Sequence, residues 1–201
     1  MDSEIQKRIE RLYAAVGRVI ERDFESLPAT VISTPKGVLM HQDFSGGASE
    51  AEMSDALHSL IASVASFHDH MKQWARKHGV SEDSIHNYFA GSPDFCIVRD
   101  LWNNDKHGGT PDKDGWSRKA PRLGSVRRVM ELRTRAEANS SCFMTVGKRG
   151  QPVFSGNGDP RTVLTAEVVD KLGNGLGEAH GFIERAVSLC EKSLGQFRVV
   201  S

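Results

Sequence analysis

The stretch 98-VRDLWNNDKHGG-109 decides the fold, because an apolar helix face, a polar constellation and a helix stop coincide in it. On a helix of 3.6 residues per turn, Phe95, Val98, Leu101 and Trp102 share one side, and Arg99, Asp100, Asn103 and His107 fall within an arc of roughly 100° beside them. A core face and a candidate site are therefore neighbours. Gly108-Gly109 stops the helix just after Lys106-His107, leaving both cations where unpaired carbonyls and the helix dipole favour positive charge.

Upstream, Gly91-Ser92-Pro93 resets the chain, with Ser92 suited to cap the helix and Pro93 to occupy its first turn. Before it, Ser81 to Phe89 predicts a short helix presenting Ile85, Tyr88 and Phe89. The strongest periodicity lies earlier still. Met53, Leu57, Leu60, Val64, Phe67, Met71 and Trp74 alternate four and three apart behind a Ser49/Glu52 capping box, and Lys77-His78-Gly79 ends the run. The N-terminal segment repeats the pattern with Ile5, Ile9, Leu12, Val16, Val19 or Ile20 and Phe24, behind Ser3 and Gln6 and up to Pro28. Between these helices, ATVISTPKGVLMHQ reads as a hairpin over 29–42 about a Pro35-Lys36-Gly37 turn.

Downstream, GGTPDKDGWSRKAPRLG reads as a long loop. Met130 to Arg135 and Ser140 to Val146 alternate apolar with polar residues, and Gly147-Lys148-Arg149-Gly150 turns into Gln151 to Phe154. A small antiparallel sheet over 125–156 is expected. Thr165 with Glu167 then opens a last helix over 165–195, striped by Leu172, Leu176, Ala179, Ile183, Ala186 and Cys190. Gly173, Gly175, Gly177 and Gly181 interrupt it, each costing ~1 kcal/mol against alanine. Close helix contact or a kink explains them more simply than backbone approach to a ligand. With helices over 3–26, 49–78, 81–107 and 165–195, the expected fold is mostly α (α+β). It is a single domain over 1–201, a four- to five-helix bundle with a small antiparallel β insertion before the last helix.

Composition narrows the partners. The 26 basic and 26 acidic side chains cancel, so any attraction to nucleic acid must come from a local patch. Cys96, Cys142 and Cys190 form an odd, widely spaced set without a CxxC, which suits reduced thiols. The charged opening MDSEIQKRIERLY carries no secretory signal, and no apolar run approaches the ~20 residues of a membrane helix, so a cytoplasmic protein is expected. No cofactor or metal is expected. His68 and His70 point to different sides of a helix, and His180 with Glu184 supplies only a pair, read as solvated.

Long amphipathic helices flanking Arg99-Asp100-x-x-Asn103-x-x-Lys106-His107, with β structure before a last helix, resemble the HEPN superfamily, most closely its bacterial members with a D-x-x-N-x-x-K-H run. The specific motif covers nine residues. The resemblance implies a helical bundle, a homodimer that brings two motif helices together, and in catalytic members a metal-independent endoribonuclease of toxin or phage-defence type. The catalytic motif there is an arginine, a polar neighbour, four to six residues and a histidine. Arg99, Asp100 and His107 match those types, with seven residues between Arg99 and His107.

The chemistry can be argued on its own terms. RNA cleavage by its own 2′-hydroxyl needs a general acid or base near neutral pH, for which His107 is suited, and a fixed cation, for which the Arg99 fork is suited. Asp100 would orient the imidazole or raise its pKa, and Asn103 would hold a phosphate oxygen or a backbone group. Lys106 joins them as a ligand contact. Arg118, Lys119, Arg122, Arg127, Arg128, Arg133 and Arg135, against the single acid Glu131, would line a phosphate backbone beside a base-stacking Trp116. The competing reading is a noncatalytic interaction or dimerisation module. In it His107 stabilises a helix end, Arg99 pairs with a carboxylate on another helix and the basic run is a solvated edge strand.

Overall fold

The computed structural model describes residues 3–22, 29–34, 37–42, 44–108, 115–147 and 152–197. Among them, helix α1 (Ser3–Arg18) leads into a short strand β1 (Ile20–Glu21) and the hairpin β2 (Ala29–Thr34) and β3 (Gly37–Gln42). Helices α2 (Glu50–His78), α3 (Glu82–Ala90) and α4 (Pro93–Lys106) follow. Strands β4 (Arg122–Arg133), β5 (Cys142–Val146), β6 (Pro152–Gly156), β7 (Asp159–Val169) and β8 (Gly175–Glu178) precede the last helix, α5 (Ala179–Gln196). The fold is α+β.

The helix ends obey their local chemistry. Ser49 Oγ accepts the Glu52 N–H at 3.2 Å while the Glu52 carboxylate accepts the Ser49 N–H at 2.8 Å, so two orphan donors at the start of α2 are satisfied reciprocally. Gly79, at φ +68°, closes the same helix in the left-handed conformation that side chains avoid. Ser92 Oγ accepts the Phe95 N–H at 3.3 Å and Pro93 occupies the first turn of α4.

Helix α4 packs between α2 and α5, and α1 lies against α2. The core runs through Ile9 and Leu12 of α1, Leu57, Val64 and Phe67 of α2, Phe89 of α3, Phe95, Val98 and Leu101 of α4, and Ile183 and Cys190 of α5. Phe89 centres it, its ring 4.7 Å from that of Phe95 and 6.3 Å from that of Phe67. Each such fully buried ring contributes about 2–3 kcal/mol before conformational entropy is set against it.

The sheet differs from the expectation in extent. Strand β7 is its middle strand: β4 pairs antiparallel along one edge, from Arg122↔Val169 to Arg133↔Asp159, and β1 and β8 share the other edge. β structure is thus not confined to an insertion over 125–156, because residues on both sides of the helices contribute to one sheet. Strands β5 and β6 form a separate hairpin, as the alternation predicted, with its turn outside the described residues.

Two helix boundaries are corrected. The first helix stops at Arg18, not near 26, and β1 follows; residues 23–28 lie outside the described ones. The last helix starts at Ala179, not 165. The β-branched run through Thr162, Val163, Thr165, Val168 and Val169 makes a strand buried on both faces, which carries no polar alternation to distinguish it from a helix. The glycines follow from this. Asp170 accepts the N–H groups of Leu172 and Asn174 in a turn after β7, and Gly173 (φ +86°) and Gly177 (φ +137°) take backbone shapes no helix contains. Leu172, read as a stripe residue, is exposed there.

Candidate functional site around helix α4

Arg99 leaves α4 and crosses to α2. Its Nη1 donates to Asp69 Oδ2 at 3.0 Å and to the Ala65 carbonyl at 2.9 Å, and its Nη2 donates to Asp69 Oδ1 at 3.2 Å. The guanidinium also lies 4.6 Å from the Trp102 ring centroid and 5.6 Å from that of Trp116. Two indoles and a bidentate carboxylate leave the side chain only 13% exposed. Burial raises the Asp69 pKa, but the Arg99 hydrogen bonds and charge outweigh it and hold the carboxyl below its ordinary value.

Asp100, one residue on, is buried and turned to the loop. It accepts the Trp116 N–H at 2.8 Å, the Ser117 N–H at 2.7 Å and the Ser117 hydroxyl at 2.6 Å. Ser117 Oγ in turn accepts the Lys119 N–H at 3.2 Å. A Cβ at Gly115 would collide with the Asp100 carboxylate, and its φ of +66° excludes most side chains anyway. This anchorage holds Arg118 and Ala120 at positive φ and sets Trp116 against Arg99.

His107 ends α4. It is exposed, and its backbone N–H bonds the Asn103 carbonyl. It lies eight positions beyond Arg99, about 12 Å along the helix. The motif therefore does not converge: the arginine goes to α2, the aspartate to the loop and the histidine to the surface. Lys106 is exposed, with its Nζ 5.3 Å from the Trp102 centroid. Asn103 is half-buried, and it is Asn104 that makes the structural bond, Nδ2 donating to the Pro121 carbonyl at 2.8 Å. That bond brings the last turn of α4, with the exposed Lys106 and His107 at its end, to the residue before the exposed Arg122 of β4, whereas Lys119 lines a hollow with Pro93 and Ile97 toward the other end of α4.

Trp116 is not a free stacking platform. Its ring packs 5.1 Å from His68 and 4.7 Å from His86, edge-on to both. His68 is buried; Nδ1 lies 3.1 Å from Asp69 Oδ1 and Nε2 has no partner among the described residues. Burial, reinforced by the Arg99 charge, lowers its pKa despite Asp69. Sequence reasoning missed Asp69 and His86, and weighed His68 only as a metal ligand, because their meeting with Arg99 and Trp116 depends on how α2, α3 and α4 cross.

A second polar cluster joins the sheet to α5. Glu131 and Glu184 share Arg161, at 3.0 and 2.6 Å, and Arg133, at 2.9 and 2.7 Å, while His180 Nε2 lies 2.9 Å from Glu131. His180 and Glu184 are thus part of a network around the buried Arg161, not a solvated pair. Burial pushes the His180 pKa down despite the two carboxylates. Of the basic run, Arg133 belongs to this network and Arg127 bonds Glu178 at 2.5 Å.

Among the described residues no group of three or more His, Cys, Asp or Glu could hold a metal ion, and no helix is long and apolar enough to cross a membrane. Cys96 and Cys190 are buried; burial pushes the Cys96 thiol up to about 11 and raises that of Cys190 as well. No family model matches the chain, and neither a curated protein nor a solved structure matches it.

Proposed function

We propose that this chain is a noncatalytic, HEPN-like helical-bundle module, extended by its sheet, that binds RNA and leaves it intact. One observation carries the reading. Arg99 and Asp100, two of the three groups that cleavage would recruit, are engaged inside the protein, whereas Lys106, His107, Arg118, Lys119 and Arg122 are exposed and in no salt bridge among the described residues. Exposed cations such as Lys106 and Arg122, near each other through the bond from Asn104 to Pro121, suit phosphate contacts, which give affinity without sequence preference. Fluorescence anisotropy with a labelled single-stranded RNA tests it. Binding should weaken as salt rises, and Lys106→Gln with Arg122→Gln should weaken it at fixed salt; wild-type binding that ignores both salt and these substitutions would refute the surface.

Self-association into a homodimer is a second reading, and the β5–β6 hairpin favours it. Phe143 is 61%, Val146 54% and Val153 43% exposed on a two-stranded hairpin, which buries little by itself. The motif helix is a poorer interface, because Phe95, Val98 and Leu101 are already covered by the chain's own core.

A further inference from the structure

On the flank of α2 turned about 130° away from Arg99, α1 and α2 leave an open groove of 330 Å³. Arg8, Arg11 and Arg18 line it from α1, and Ser63, Ser66 and His70 line it from α2. Positions 8, 11 and 18 fall within an arc of about 80° and span about 15 Å of helix axis, so the guanidiniums form a row and not a cluster. None of the three is in a salt bridge among the described residues. Glu4, which borders the adjoining cleft with Arg8 and His70, is bonded to Lys77.

The small side chains open the floor of the groove. Ser63 and Ser66 donate their hydroxyl protons to the carbonyls of Ser59, at 2.8 Å, and Ser63, at 3.2 Å, so the arginines are the principal donors left for a ligand. Guanidinium forks match phosphate oxygens bidentately, and a row about 15 Å long exceeds what one phosphate group can occupy. Leu12 and Phe67 lie in the floor but are buried, so the groove presents no aromatic face for a base and no open apolar pocket for a peptide side chain. The 330 Å³ of the groove is far smaller than a duplex segment of the same length, so a single strand is the backbone it can take in.

We infer that the α1–α2 groove binds the phosphate backbone of single-stranded nucleic acid, with Arg8, Arg11 and Arg18 taking successive phosphates. The site goes beyond the α4 surface and does not depend on it. Recognition there is blind to base sequence and, with no donor dedicated to a 2′-hydroxyl, accepts RNA and DNA alike.

The test uses fluorescein-labelled oligouridylate and oligothymidylate with the full chain and the triple variant Arg8→Gln, Arg11→Gln, Arg18→Gln. Glutamine keeps helix propensity and length, and unchanged circular dichroism and Tm establish that the variant folds. If it does not fold, Arg11→Gln alone, at an exposed position, is read for about one third of the effect on the salt slope. At about 50 mM salt the triple variant should bind both oligomers at least ~10-fold more weakly, and its slope of log K against log salt should be shallower by about 2, at ~0.7 per phosphate contact. Wild-type affinity and slope in the triple variant, with binding lost instead in Lys106→Gln/Arg122→Gln, would overturn the groove and leave the α4 surface standing. Failure of the wild type to bind either oligomer would overturn both. A polyglutamate of equal charge that displaces the oligomers at equal concentration would also overturn the inference, by making the groove a docking site for acidic protein segments.

Discussion

Asp100 accepts both the backbone N–H and the hydroxyl of Ser117, at 2.7 and 2.6 Å, and so fastens the loop before β4 to the middle of α4. Asp100→Asn replaces a two-oxygen acceptor by a group that sets its own N–H against donors. It should cost about 2–4 kcal/mol, or about 4–16 °C in Tm, by thermal denaturation. Gly115→Ala should be destabilising through the same contact, since its Cβ would meet the carboxylate. A Tm within 1–2 °C of wild type for both would show that the loop is not held this way.

Arg99→Lys separates a structural from a catalytic arginine. A point charge loses the bidentate geometry with Asp69 and the stacking against Trp102 and Trp116. The expected loss is about 1–2 kcal/mol, discounted because Asp69 stays 42% exposed, while RNA affinity at fixed salt stays within about twofold. A variant with wild-type Tm and abolished RNA binding would assign Arg99 to the ligand instead.

The helical half of this structure was legible because its signals are local. Ser49 with Glu52, Ser92 with Pro93 and the stop at Gly79 each act within one turn, and the three-four stripe of α2 names its own buried face. The end of the chain misled for an equally physical reason. A doubly buried strand such as β7 shows no alternation, and a glycine-rich turn and β8 then followed in apparent register with the true helical stripe of α5. At the site, adjacency to the core was readable, but the partner of Arg99 was not, because Asp69 lies 30 residues away across a helix packing. The groove of Arg8, Arg11 and Arg18 was not legible, because its other side is lined by α2, more than 40 residues further along the chain.

Acid should weaken the fold in two stages. His68, His70 and His180 are each held below the ordinary imidazole value of 6.5, with burial the first cause. The unfolded chain therefore binds more protons as pH falls below 6.5, and stability that is full above 6.5 declines toward the lowered folded values. Asp69 and Glu184 also sit below their ordinary 3.8 and 4.5, burial being outweighed by Arg99 for one and by Arg133 and Arg161 for the other. Their contribution is present above those values and lost beneath them. Melts from pH 8 to pH 3 should show a first decline below 6.5, partly flattened in His68→Phe, and a second below 4.5; a Tm constant down to pH 5 would contradict the buried histidines.

Self-association should follow the hairpin. Light scattering of the wild type should give twice the 22.1 kDa chain mass, and Phe143→Ser with Val146→Ser should return it to the monomer without lowering Tm at low concentration. A wild type that stays monomeric at high concentration would leave the hairpin an uncovered arm.

Binding without cleavage is read from the fate of bound RNA. Labelled single-stranded RNA is incubated with the protein in excess EDTA at low salt, and complex and chain length are read from the same sample. The account predicts a shifted complex from which full-length RNA is recovered, with His107→Ala changing neither chain length nor Tm, because that exposed imidazole lies about 12 Å of helix from a guanidinium committed to Asp69. Shortened RNA in the wild type, lost by ~100-fold or more in His107→Ala, would contradict it and restore the motif to catalysis.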